Sequence, residues 1–217
     1  MKPYFLLMSV VFFMVACRQE VKKTSAENSV KPLTQNLHKG WTFNNDASSI
    51  EWTGYKTTGK IAVNGSFQNF EINSIKTIDN LLKAIAHARV RINVYSIFSN
   101  DETRDKKLIT YLFETMTDTR FIEARIEKID TSQNMAMVNI NMNAHEKVVP
   151  MSVQIDAQKG IVTLNGTIDL IKDFAADSSL QALHKACYDL HTGKDGVSKT
   201  WSEVSVKARL VFEKDKK

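Results

Sequence analysis

His184, Cys187 and His191 stand at i, i+3 and i+7 of a segment with helical periodicity, and their side chains are of the types that hold zinc or copper. Neighbours three or four residues apart share an ion readily. His184 and His191, however, would lie two helical turns apart, about 10 Å, too far for one ion without distortion. The segment therefore reads as a packed helix, with Leu180, Leu183 and Cys187 turned inward and the histidines at its solvent edge and C-terminal end. His145-Glu146, close to Asn143, suggests acid–base chemistry, but consecutive residues of a strand point to opposite faces. Arg104, at the start of another helix, suits a phosphate or carboxylate; the alternative is an ion pair with Asp105 or another surface acid. The chain has no nucleophile elbow, phosphate loop or spaced metal motif. The expectation is no catalytic residue, no metal and no cofactor, hence a protein that is not an enzyme.

The charge distribution narrows the partners. The 217 residues carry 29 Lys and Arg against 24 Asp and Glu. Residues 1–40 hold six of the basic and two of the acidic side chains, which leaves 23 and 22 for residues 41–217. With so even a balance in the body of the chain, nucleic-acid binding loses its electrostatic basis. Residues 1–17 combine Lys2, an apolar run from Tyr4 to Val15 and a small residue before Cys17. The run is too short to span a bilayer, which needs about 20 apolar residues, and has the length of a signal-peptide core. Its ending, Met14-Val15-Ala16-Cys17, resembles a bacterial lipobox, which implies cleavage before Cys17 and a diacylglycerol on its thiol. The alternatives are an ordinary secretory peptide cut nearby and an uncleaved anchor. Acylation of Cys17 leaves Cys187 without a disulfide partner. Residues 18–40 are polar and aperiodic, a tether, and residues 41–217 form one domain. The expected location is the bacterial cell envelope, with the protein exported, lipid-anchored and facing the periplasm or the cell surface.

Strands dominate that domain. In Lys60–Phe70, Ile61, Val63, Gly65 and Phe67 share a face at period two, and the glycine marks a close approach or a bend. Ser48–Tyr55, entered from a turn at Asn44-Asn45-Asp46, puts Ile50, Trp52 and Gly54 together. Glu71–Ile78 reads as a strand, and Ala86–Phe98 as one long strand with Ala86, Ala88, Val90, Ile92, Val94 and Phe98 inward. Asn100–Thr117 switches to helical spacing at Leu108, Ile109, Leu112 and Met116. Strands return at 120–129, 134–144, 148–156 and 161–170. A second helix covers 178–192 and ends at Gly193, and a last strand runs over 201–212. The reading is all-β, a closed or nearly closed antiparallel sheet of about eight strands with two short helices. At that strand number a barrel is just wide enough for one small apolar ligand, or for its own side chains.

Several short pieces, in order, resemble the YceI-like family of periplasmic lipid-binding proteins. They are Ser49-Ile50-Glu51-Trp52, Gly65-Ser66-Phe67-Gln68-Asn69-Phe70, and Ser96-Ile97 followed by Arg104-Asp105-Lys106-Lys107-Leu108. The chain departs from the family where a glycine-bearing hairpin is usual: Asn143–Pro150 has none. The resemblance implies an extended lipocalin-like barrel around an apolar tunnel, binding a long isoprenoid or other lipid chain, with no catalytic residues to carry over. The expected ligand-binding set is Ile61, Val63, Phe67, Ile92, Val94, Phe98, Leu108, Leu112, Ile140, Met142, Met151 and Val153, with Arg104 for a head group. The other partner is the membrane, through Cys17; a homodimer is left open. The alternative reading is a filled barrel that serves as a structural or protein-interaction module.

Overall fold

The computed structural model describes residues 40–75 and 80–214. The expected leader, the expected lipobox Cys17 and most of the expected tether lie outside the described residues. Ten strand segments form one antiparallel sheet: β1 (Trp41–Lys56), β2 (Ile61–Phe67), β3 (Phe70–Asn73), β4 (Arg89–Asn93), β5 (Ile97–Phe98), β6 (Phe121–Asp130), β7 (Met135–Met142), β8 (His145–Asp156), β9 (Ile161–Asp169) and β10 (Glu203–Lys214). Their order is β3-β4-β6-β7-β8-β9-β10-β1-β2-β5.

The two ends of that order meet at a corner. β3 pairs with β4 through Phe70↔Ile92, and β2 pairs with β5 through Phe67↔Ile97. Between them the ladder continues, with Asn93 N donating to Asn69 O and Gln68 N to Ser96 O. β2 and β3 thus act as one bent stave against β4 and β5 as another. Ten segments make eight staves, and the sheet curls into an all-β, lipocalin-like architecture.

Local chemistry explains where the segments depart from simple alternation. The expected turn at Asn44-Asn45-Asp46 is a bulge inside one sixteen-residue strand, where the register against β10 slips between Asn44 and Ser49. Asn44 Oδ1 accepts from Ala47 N, and the Ser48 hydroxyl donates to Asn44 O while accepting from Val211 N. The hydroxyl thereby satisfies a backbone donor that the bulge would otherwise strand.

The long strand expected over Ala86–Phe98 starts late, at Arg89, and is broken once. A short helix, α1 (Leu81–Ile85), precedes it, capped by Asn80 Oδ1, which accepts from Leu82 N and Lys83 N. Then a 3₁₀ turn at Val94–Ser96 divides β4 from β5. The Asn93 side chain accepts from Tyr95 N, and Ser96 Oγ donates to Asn93 O. These local bonds compete with the ladder and win. The turn moves the alternation by one residue, so Ile97 is buried and Phe98 is 45% exposed.

α2 (Glu102–Leu108) is capped by Asp101 and runs on through a π-helical turn at Ile109–Phe113. α3 (Asp177–Ala186) ends at Cys187, five residues short of the expected end, and a separate 3₁₀ turn, Asp189–His191, follows. The β7–β8 hairpin turns on Asn143 and Ala144, both at positive φ (53° and 57°), with Met142 and His145 paired beside them. Asparagine replaces the glycine usual for such turns, and its side chain is fixed by accepting from Thr117 N and donating to Phe174 O.

The end of the curl remote from α2 and α3 is sealed, and α1 lies at it. Gly160, at φ 67°, lets the β8–β9 turn approach the Trp41 ring and the Phe212 carbonyl so closely that a Cβ would lie 2.2 Å and 2.4 Å from them. Phe43 packs edge-on against Phe212, and Lys214 lies over the Trp41 ring. Trp41, Phe212, Val162 and Ala136 are all buried here.

Candidate functional site

Inward-facing residues along two neighbouring strands measure depth. On β10, Val204, Val206, Ala208, Leu210 and Phe212 descend towards the seal; on β1, Gly54, Trp52 and Ile50 descend beside them. Val204, Val206, Gly54 and Trp52 line a chamber of about 430 Å³ under α2 and α3. Below it lies an inner recess of about 120 Å³; Trp52, Phe67, Ile122, Met142, Ile168 and Val206 line both spaces. The recess is walled chiefly by aliphatic side chains, among them Ile50, Ile140, Met151, Leu164 and Leu210. A separate concavity of about 440 Å³ lies where Glu51, Asn64, Asn165 and Lys207 occupy the outer face of β1, β2, β9 and β10. The charged and amide side chains in its wall make it a poorer match for an apolar chain than the chamber.

Gly65 is a close approach, as its place on an apolar face implies. A Cβ there would come within 2.2 Å of the Trp52 indole and 2.7 Å of the Phe98 carbonyl. Trp52 can therefore lie against the wall at the waist between chamber and recess, rather than fill the space.

The expected residues divide three ways. Val63, Phe67, Arg104, Leu108, Leu112 and Met142 line the chamber; Phe67, Ile92, Ile140, Met142 and Met151 line the recess. Val94 and Val153 are buried but line neither space, Val94 in the 3₁₀ turn and Val153 opposite Leu164. Ile61 and Phe98 correct the expectation outright. Ile61, paired with Lys56 where β1 and β2 meet at the rim, is 53% exposed; Phe98 is turned out by the shift at Val94–Ser96.

The mouth is built from parts that strand alternation does not reveal. α3 contributes Leu180 and Leu183, and the chain after it contributes Cys187, Leu190, His191, Thr200 and Trp201. Leu190 is 59% exposed yet lines the chamber, so it forms a lip. Because α3 stops at Cys187, His191 turns into the chamber wall, not to the solvent edge. Thr200 Oγ1 lies 2.6 Å from His191 Nδ1 and 3.0 Å from His184 Nδ1. With one proton to give, the hydroxyl donates to one ring and accepts from the other. Burial, helped by Lys56, His184 and Lys107, lowers the pKa of His191 to about 4, so the ring is neutral near pH 7. Burial also raises the Cys187 thiol, against the pull of Lys107 and Lys56, which leaves it protonated and a poor nucleophile.

Arg104 pairs with Asp101 (Nη2 to Oδ2, 3.2 Å) and donates from Nη1 to Ser99 O. Asp105, the partner the sequence offers, instead accepts from Ser99 N and Oγ. At the β7–β8 hairpin, His145 Nδ1 contacts Asn143 O, whereas Glu146 accepts from Asn139 Nδ2 and lies 3.8 Å from Arg125. The two side chains do no joint work. Among the described residues, no group of three His, Cys, Asp or Glu side chains converges as a metal site would require, and no helix is long and apolar enough to cross a membrane.

A family model described as a YceI-like domain matches residues 41–212. A polyisoprenoid-binding domain from Saccharophagus degradans, implicated in plant cell wall breakdown, superposes with a TM-score of 0.57 at 15% identity, covering 82% of this chain and 99% of its own. Burkholderia cenocepacia BcnA superposes with a TM-score of 0.50 at 14% identity, covering 78% of this chain and 99% of its own. No curated protein matches the sequence.

Proposed function

The chain belongs to the YceI-like family, and from that premise we propose that it is an exported envelope lipoprotein that holds a long apolar chain, isoprenoid or acyl, inside its barrel. The observation that carries the reading is a pair of adjoining, largely apolar spaces inside the barrel, the chamber at the mouth and the recess below it, with Trp52 and Met142 in the walls of both. A barrel filled by its own side chains would leave no room of that size. At about 0.8 kcal/mol per buried methylene, ten methylenes give several kcal/mol of binding without any polar anchor. The polyisoprenoid named for the Saccharophagus domain points to the same class of cargo.

The role is carriage or sequestration, not catalysis. Cys187 is held protonated, and the Thr200 hydroxyl is shared between two imidazoles. Attachment to the envelope rests on Lys2, the apolar run and Cys17. Mass spectrometry of protein expressed from the full chain and exported by a bacterial host tests both parts. The native spectrum should show a discrete adduct that extracts as a prenyl or acyl lipid, and the denatured protein should begin at a diacylglyceryl-modified Cys17. A ligand-free mass that persists when lipids are offered would overturn the carrier reading; an unmodified N-terminus would overturn the anchor.

A further inference from the structure

The lining of the mouth carries more positive charge than its own carboxylates can balance. Lys56, Arg104 and Lys107 all face the chamber, together with a single acid, Asp101. Asp101 is taken by Arg104. Lys107 Nζ donates to the Ala186 carbonyl at 3.3 Å, a contact that supplies an acceptor but no countercharge. Lys56, half-buried at the end of β1, has no carboxylate within ion-pair distance among the described residues. Some lysines elsewhere on the barrel find one, as Lys60 does with Glu203, Lys147 with Asp173 and Lys207 with Glu51. Those for which the described residues supply none, such as Lys83, Lys128, Lys185 and Lys194, are exposed, whereas Lys56 and Lys107 are half-buried.

The surroundings sharpen the imbalance. Lys56 bridges across to Thr200, whose hydroxyl is occupied by the two histidines, and the neighbouring imidazole of His191 is neutral. Two half-buried lysines thus stand at the threshold of an apolar space without a carboxylate partner among the described residues. A half-buried charge of this kind is costly unless a ligand of opposite sign completes it. Lysine, as a flexible point charge, accepts carboxylate and phosphate alike.

We propose that the cargo is an anionic amphiphile, with a carboxylate or phosphate at the head of its apolar chain, and that Lys56 and Lys107 hold that head at the mouth while the tail fills the chamber. The proposal rests on the chain-binding reading and adds the sign of the head group. It also moves the head-group contact from Arg104, which Asp101 already occupies, to the two lysines.

The test is displacement of a neutral fluorescent probe, N-phenyl-1-naphthylamine, from delipidated protein expressed from the full chain. The competitors are oleate, oleyl phosphate and oleyl alcohol, which share one tail. Both anions should compete at least about tenfold better than the alcohol, with an advantage that shrinks as salt rises. The double variant Lys56→Gln, Lys107→Gln should lose the advantage but keep its affinity for the alcohol, which also reports that it is folded. The double variant Lys56→Arg, Lys107→Arg should retain it. Equal competition by all three ligands, or an anion preference that survives in the glutamine variant, overturns the anionic head while leaving the chain-binding reading intact. If none of the three displaces the probe, the chain-binding reading itself fails, and this inference with it.

Discussion

The two ends of the barrel interior are built from different materials. The sealed end is a close-packed apolar plug: Trp41, Phe43 and Phe212 are closed over by a glycine that brings the β8–β9 turn against them, and α1, which links β3 to β4 at this end, buries Leu81, Leu82, Ala84 and Ile85. The mouth is made of two helices and the 187–201 segment, and carries lysines, an arginine, two histidines and a threonine around an opening. Shape is fixed at one end by close packing and at the other by hydrogen bonds and charge. A single glycine can therefore govern the seal, whereas the mouth can be retuned residue by residue.

The comparison breaks most sharply at the seal. Gly160→Val combines a positive φ with contacts to a ring and to a backbone carbonyl that cannot move far. It should cost at least about 3 kcal/mol of stability in urea unfolding. A loss within about 0.5 kcal/mol would show that the seal is not closely packed. At the waist, Met142→Trp should leave the circular dichroism spectrum unchanged while weakening uptake of a neutral apolar probe about tenfold or more, since Met142 lines both spaces. Undiminished uptake by the folded variant would mean that the recess takes no part in binding.

The smallest effect belongs to the mouth and depends on pH. His191 is neutral in the folded protein down to about pH 4, against an ordinary value of 6.5. Between those values the unfolded chain binds more protons, so stability is complete above pH 6.5 and falls as the pH drops towards 4. His191→Gln should flatten the change in urea midpoint between pH 7 and pH 5. An identical slope in variant and parent would remove His191 from the account.

The same division decides what the sequence makes legible. From Met135 through β7, β8 and β9 the strands pair without a register slip, and Ile140, Met142, Met151 and Leu164 are recognisable as interior from period two alone. The corner at Val94–Ser96 is hidden, because Asn93 and Ser96 fit the alternating pattern while their side chains bond locally and break it. Phe98 is misplaced for that reason. The mouth is the least legible part. The Leu180, Leu183 and Cys187 spacing identifies a buried helix face, but only the tertiary fold shows that this face roofs a cavity. A helix taken through residue 192 also carries His191 away from the wall that it occupies.

The seal formed by Trp41 and Gly160 has a kinetic consequence. In a blind passage entered from one side, a flexible tail goes in end-first and must come out by the way it entered, so release is a stepwise withdrawal. At about 0.8 kcal/mol per methylene, each carbon more deeply seated slows that withdrawal roughly fourfold, until the tail touches bottom. Beyond that length, extra carbons remain outside and add nothing. For the apolar cargo proposed above, the barrel would then act as a ruler, with residence time, more than affinity for any one head, separating long tails from short ones.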